Sequence, residues 1–170
     1  MGCVACMKFI LDSMLGNLSR WLRMLGCTVK YFKKASNHEL LDLARDEDHI
    51  LLTRNLTLFR RAKSTGISVF FIEGMTILEM LANFSQKFKI PLVINISISR
   101  CPICDSHIKR IKKTDIADKV PSGTLKHHDE FWLCTGCSKV YWQGSHWKNI
   151  NATLQKAKKL LESRIKNTSR

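Results

Sequence analysis

Four times before residue 92, a short apolar run gives way to a stretch whose apolar residues recur at helical spacing. "MKFILD" (7–12) is followed by Leu15, Leu18, Trp21, Leu22 and Leu25, a stripe closed by Gly26 in the position helices favour for glycine. "CTVKYF" precedes Ser36 and Glu39, an S-x-x-E capping box that opens a helix through Leu40, Leu41, Leu43 and Ala44. "HILLT" with "LTLFRRAKSTG", then "ISVFFI" with "TILEMLANFSQKF", repeat the pair twice more. Successive strand–helix units return each strand parallel to the last, because the helix must pack back on the sheet. The expectation over residues 7–92 is an α/β domain with a doubly wound parallel sheet and helices on both faces. Such sheets bind ligands outside the carboxyl ends of their strands.

Those ends carry the polar residues that matter. Asp12 closes the first strand, Glu39 opens the second helix, Asn55 follows the third strand and Glu73 closes the fourth. Three or four converging carboxylates can hold Mg²⁺ or Mn²⁺, which activate water and neutralise a phosphate under attack. Asn55 interrupts that set. Asn and Asp cap helices about equally well, but a neutral amide oxygen is a poor partner for a hard dication. The helix after residue 55 therefore keeps its cap while the rim loses a charge. Asp12 and Glu39 also have plain structural readings, as a helix cap and as half of a capping box.

Seven cysteines include three C-x-x-C pairs. Cys101-Pro-Ile-Cys104 and Cys134-Thr-Gly-Cys137 together supply the four thiolates of a closed tetrahedral shell, so structural Zn²⁺ is expected over residues 93–148. Three histidines, His127, His128 and His146, could replace a ligand, but four cysteines already fill the shell. Cys3 and Cys6 lack a partner pair, and Cys27 stands alone at a strand start.

Formal net charge is +14, which points to polyanionic partners. No run reaches the ~18 apolar residues of a membrane span. The apolar part of "MGCVACMKFILDS" is too short for a secretory leader, so an intracellular protein with neither membrane nor small-molecule partner is expected. Arg54, Arg60 and Arg61 flank Asn55. Lys109, Arg110, Lys112 and Lys113 alternate with Ile108 and Ile111 in an expected hairpin arm, and Lys139 and Lys148 lie on either side of the last aromatic cluster. All nine are candidates for phosphate contact. Tyr141, Trp142 and Trp147 could stack unpaired bases; Trp132 and Trp142 read more simply as the small core of a zinc ribbon. "PLVINISISR" reads as a strand or an extended linker. In residues 149–170, Leu154, Ala157, Leu160, Leu161 and Ile165 make the apolar stripe of a basic helix, expected from about 148 to 166.

Three stretches carry a family resemblance: "MKFILDSMLGNLSRWLRMLG", "NHELLDLARDEDHILLTRN" and the ribbon end "VYWQGSHW". From residue 7 to about 148 the chain resembles the Mut-seven C-terminal domain family, which joins a PIN-like ribonuclease fold to a zinc ribbon. That family stands alone in prokaryotes; in animals it is appended to 3′–5′ exoribonucleases of the Nibbler type used in small-RNA silencing. The resemblance implies a PIN-like sheet, a Cys₄ zinc and a role with RNA. Its acidic set maps onto Asp12 and Glu39, and less closely onto Glu73. Where the family reads L-T-R-D, this chain reads Leu52-Thr53-Arg54-Asn55. The resemblance therefore implies an accessory domain with a degenerate nuclease site that binds single-stranded RNA. It would form the C-terminal part of a 3′–5′ exoribonuclease, with a docking surface for a scaffold protein of a small-RNA complex. Cytoplasmic residence, including perinuclear RNA granules, goes with that role. Two other readings stay open: an active endoribonuclease using Asp12, Glu39 and Glu73 with Mg²⁺ or Mn²⁺, and a pure protein-interaction module.

Overall fold

In a computed structural model that describes residues 7–46 and 49–168, β1 (Lys8–Leu11) is buried at every residue after the first. Phe9, Ile10 and Leu11 are wholly inaccessible, as in a central parallel strand covered on both faces. β1 pairs in parallel with β2 (Thr28–Tyr31) and β3 (Ile50–Thr53), and β3 pairs in parallel with β4 (Val69–Phe71), giving the order β2-β1-β3-β4. Side chains alternate across the sheet and divide the core in two. Phe9, Leu11 and Leu52 meet Leu18 and Leu22 of α1 (Gly16–Met24) and Leu81 and Phe84 of α4 (Ile77–Phe88). Ile10 and Leu51 meet Leu40, Leu41 and Ala44 of α2 (Asn37–Asp46) and Leu58 and Ala62 of α3 (Leu56–Ser64). The expected mixed α/β fold with a parallel sheet is therefore present, with helices on both faces.

Helix ends follow local chemistry. After α1 the N–H of Gly26 reaches Arg23 C=O and that of Cys27 reaches Leu22 C=O, the paired bonds of a Schellman stop. Gly26 sits at φ 92°, where any Cβ would also press on Ile98. Ser36 and Glu39 form the expected capping box, with Ser36 N–H donating to the Glu39 carboxylate at 2.7 Å. Thr76 and Glu79 form a second one at α4, which the sequence analysis overlooked although "TILE" has the same spacing.

Beyond α4 the chain departs from expectation in three places. Where a strand or extended linker was expected, residues 96–98 form a turn and Arg100 makes an isolated bridge to His107: the Asn95 side chain accepts the Ser97 N–H, and Ile98 and Ser99 fold back on Asn95 C=O. The ribbon has the expected antiparallel strands, β5 (Ile108–Ile111), β6 (Phe131–Cys134) and β7 (Val140–Trp142), in that spatial order. Its spacer, however, holds a 3₁₀ turn (Lys113–Ile116) and α5 (Ser122–His127), and its core is Ile116, Val120 and Phe131 rather than the tryptophans. Trp132 is half-buried, and Trp142 lies tilted on Phe131 with 36% of its surface exposed. Finally, α6 (Ser145–Thr168) begins earlier than expected and takes in His146, Trp147 and Lys148. It packs along α4, burying Leu154 and Ala157 in the core of the first lobe. Leu160 and Leu161 stay half-buried and Ile165 is exposed.

The ribbon is pinned to the sheet by Arg23. This residue, 7% exposed, donates Nε and Nη2 to Val29 C=O at 3.2 and 2.8 Å, and Nη1 to the carbonyls of Pro102 and Ile103 inside the first knuckle at 3.2 and 2.9 Å. Asp105 answers from the other side. Its Oδ2 accepts the Val29 N–H at 3.1 Å, while Oδ1 faces Arg23 Nε at 3.6 Å and accepts from Arg100 Nε at 3.0 Å. Burial pulls the Arg23 pKa below its ordinary value, against the opposing pull of Asp105. Giving each of the three guanidinium nitrogens an acceptor is what allows such a charge to be buried.

Candidate functional site

The sheet order puts the change of winding direction between β1 and β3, so the crevice for a ligand lies at their carboxyl ends. Asp12 stands there, 4% exposed. Its Oδ1 accepts the Met14 N–H at 2.9 Å and caps a 3₁₀ turn (Ser13–Leu15). Its Oδ2 accepts the Thr53 hydroxyl and, at 3.3 Å, the Arg54 N–H. Thr53 Oγ1 in turn accepts the Asn55 N–H at 2.9 Å. The Asn55 side-chain oxygen accepts the N–H groups of Thr57 and Leu58 at 3.0 and 3.1 Å, capping α3. Asp12 and Asn55 are thus joined through Thr53. Three donors already occupy the carboxylate, and the amide oxygen is committed to a helix.

Glu39 and Glu73 form no metal-holding cluster with Asp12. Glu39 is exposed and held by Ser36, whose backbone N–H keeps its carboxyl below the usual range. Glu73 is exposed two residues past β4, with its own N–H donated to Asn83 Oδ1 at 3.1 Å. Among the described residues, no three carboxylates gather closely enough to hold a metal ion; the group that does is the four cysteines. Arg54 is half-buried beside Asp12, with Nη2 3.5 Å from Met75 Sδ, while Arg60 and Arg61 are exposed on α3. On the ribbon Lys109, Arg110, Lys112, Lys139 and Lys148 are exposed, and Lys113 and Trp147 are half-buried. Arg110 pairs with Glu130 at 2.9 Å and Lys113 with Asp129 at 2.7 Å. Such solvated pairs are worth little, so a phosphate can displace them at small cost.

The four cysteine sulfurs all lie within 4.8 Å of one another, Cys101 and Cys137 at 3.7 Å and Cys104 and Cys134 at 3.3 Å. Tetrahedral zinc with ordinary Zn–S bonds places its sulfurs about 3.8 Å apart, so the cluster fits a metal of that kind. Support comes from around it. The N–H groups of Gly136 and Cys137 lie 3.4 Å from Cys134 Sγ, and a Cβ at Gly136 would collide with Ser106 Oγ. Hydrogen bonds from Ser106 lower the Cys104 thiol to about 6, which makes it a thiolate at neutral pH. Burial pushes Cys134 up to about 12, so that proton must leave when a metal binds. The Tyr141 hydroxyl lies 3.0 Å from Cys101 Sγ, so this ring, first considered for base stacking, serves the cysteine cluster. Cys27 is unrelated: fully buried and raised to about 12, it behaves as a small apolar residue. Cys3 and Cys6 lie outside the described residues.

The family model for the Mut7-C RNAse domain matches residues 7–154. The chain belongs to that family. The match takes in the parallel sheet, both knuckles and the ribbon, and it ends at Leu154, where α6 meets the core of the first lobe. Membership makes this Mut7-C chain a nuclease-related, RNA-binding domain. No curated protein and no solved structure matches it. Sequence reasoning missed Thr53, Ser106 and the cysteine-supporting role of Tyr141. Thr53 was within reach, since a threonine between two rim residues is a ready bridge; Tyr141 meets Cys101 from forty residues away, and Ser106 is an ordinary polar residue beside its knuckle, so neither carries a spacing signal.

Proposed function

We propose that this domain holds single-stranded RNA along the carboxyl rim of its sheet and does not cut it. The observation that carries the reading is the state of Asp12, whose carboxylate already accepts hydrogen bonds from Met14, Thr53 and Arg54. With Asn55 engaged as a cap, and neither Glu39 nor Glu73 clustering with Asp12, the rim lacks a converging set of hard oxygen donors for Mg²⁺ or Mn²⁺. Arg54, Arg60 and Arg61 instead supply cations there for RNA phosphates, and the basic arm Lys109–Lys113 and the start of α6 extend the track. Zn²⁺ is the metal we assign to Cys101, Cys104, Cys134 and Cys137, because four soft thiolates in a closed shell suit it and leave no open position for catalysis. The family resemblance supports a place at the C-terminus of a 3′–5′ exoribonuclease in small-RNA silencing, in the cytoplasm and its perinuclear granules. There the domain would retain RNA and dock a scaffold protein.

The test is a paired assay on a single-stranded RNA: anisotropy across a salt series, and cleavage with Mn²⁺ or with EDTA. We expect log affinity to fall linearly with log salt, by about 0.7 per phosphate neutralised, and no cleavage in either condition. Asn55→Asp should keep the α3 cap and still show no Mn²⁺-dependent cleavage, because Asp12 with one added carboxylate falls short of the three or four that such a site needs. Wild-type cleavage that requires Mn²⁺ and disappears in Asp12→Asn would overturn the reading and return the domain to the active nucleases.

A further inference from the structure

The two edges of the parallel sheet are treated differently. On β2 the bonding pattern turns Val29 outward, and there its N–H is taken by Asp105 and its C=O by Arg23. That edge is closed by the ribbon clasp. On β4 the N–H of Leu51 bonds to Ser68 C=O and the N–H of Ile72 to Thr53 C=O, so Ser68, Phe70 and Ile72 face β3 while the backbone groups of Val69 and Phe71 face outward. Among the described strands none lies beyond them. Proteins usually blunt such an edge with lysine, proline or a bulge on the strand itself, yet Val69, Phe70 and Phe71 are all apolar and half-buried.

The open edge floors a groove of about 480 Å³. α3 forms one wall, where Phe59 meets Phe71 edge-on at 5.7 Å and Lys63 stands exposed. α4 forms the other, where Lys87 is exposed with its Nζ 5.8 Å from the Phe70 ring. Backbone donors and acceptors repeating every second residue match an extended peptide, which adds as a further strand. RNA offers no such ladder. Lys63 and Lys87 outnumber Glu73 in the lining of the groove, and that balance favours acidic side chains on the peptide.

We propose that the β4 edge docks an extended acidic segment of a partner protein by strand addition. This gives the scaffold-docking role above a site and rests on that part of the reading alone; RNA retention in the cleft is independent of it.

The probe is a phage-displayed library of random dodecapeptides, selected on the full chain and counter-selected on Val69→Pro. Proline at Val69 removes an outward N–H and leaves the ladder to β3 intact. Peptides that alternate acidic and apolar residues should enrich. As synthetic peptides they should bind wild type at least tenfold more tightly than Val69→Pro or the pair Lys63→Glu/Lys87→Glu. Methylating their backbone nitrogens should abolish binding, a change that leaves the protein untouched. RNA affinity, measured on each variant, should not move with Val69→Pro. The inference is overturned if no clone separates wild type from Val69→Pro, if enriched peptides lack acidic residues, or if backbone methylation is harmless. It also fails if light scattering shows a Val69-dependent dimer, which would make a second copy the occupant, or if Val69→Pro abolishes RNA binding, which would make the edge an RNA site.

Discussion

Asp12 and Asn55 form a short-range structural device. Asp12 ties the first strand's exit to the third strand through Thr53, and Asn55 starts a helix from the same point. Thr53 is the hinge of that arrangement: fully buried, it donates to one residue and accepts from the other. Thr53→Val keeps the shape and removes the hydroxyl, leaving a buried carboxylate short of a donor and a buried N–H without its acceptor. The expected loss is about 1–3 kcal/mol, read by denaturant unfolding. A loss within error would mean that water replaces the hydroxyl and that the crevice is wetter than its burial suggests.

At the scale of elements, the strands and helices of the first lobe were legible because two periods alternate along the chain, and each helix carries its own start and stop. Ser36 with Glu39, and Gly26, are examples whose geometry matches their sequence signature. The Arg23 clasp was not legible. Arg23 sits inside an ordinary amphipathic helix, and the groups it binds belong to Pro102, Ile103 and Asp105, too far along the chain for any periodic signal. Trp142 misled for a related reason: a large ring suggests a core, but Phe131 on the adjoining strand fills that place. In the rim, the positions of Asp12 and Asn55 could be read, whereas the lack of a three-carboxylate cluster among the described residues depends on packing. The capping boxes give an acid-side prediction. N–H groups of Thr76 and Met75 hold the Glu79 carboxyl below its usual range. A depressed carboxyl stabilises fully above its unfolded pKa, about 4.3, and loses that contribution as pH falls through the folded value. Glu79→Gln keeps the box geometry but not the charge. It should melt below wild type at pH 7, and the two melting curves should converge in acid.

For the whole molecule, the Arg23 clasp ties the α/β lobe to the first knuckle of the candidate metal site. Arg23→Ala strips the joint and leaves Asp105 with a single cation, at an expected cost of about 3–5 kcal/mol. Thermal melts should show that loss, and amide exchange should rise in β2 and the first knuckle together. Metal removal tests the same coupling from the other end. A strong zinc chelator should unfold the ribbon and release protons on rebinding, because Cys134 begins protonated. The α/β core should lose stability with it, seen as a lower melting temperature for β1 and β3. Unchanged exchange in the sheet after chelation would show that the clasp holds without the metal.

The return of α6 onto α4 has a consequence for how the chain comes into being. The core of the first lobe is finished by Leu154 and Ala157, which lie beyond the entire ribbon in the chain. A ribosome must therefore deliver the parallel sheet, then both knuckles, and only afterwards the helix that seals the sheet's face. Until then the α4 surface is bare, and closing it means drawing together segments separated by the whole ribbon. An early-folding ribbon would shorten that closure by bringing its two ends close. Metal supply during synthesis would then govern how long an unsealed apolar face is open to chaperones and to aggregation.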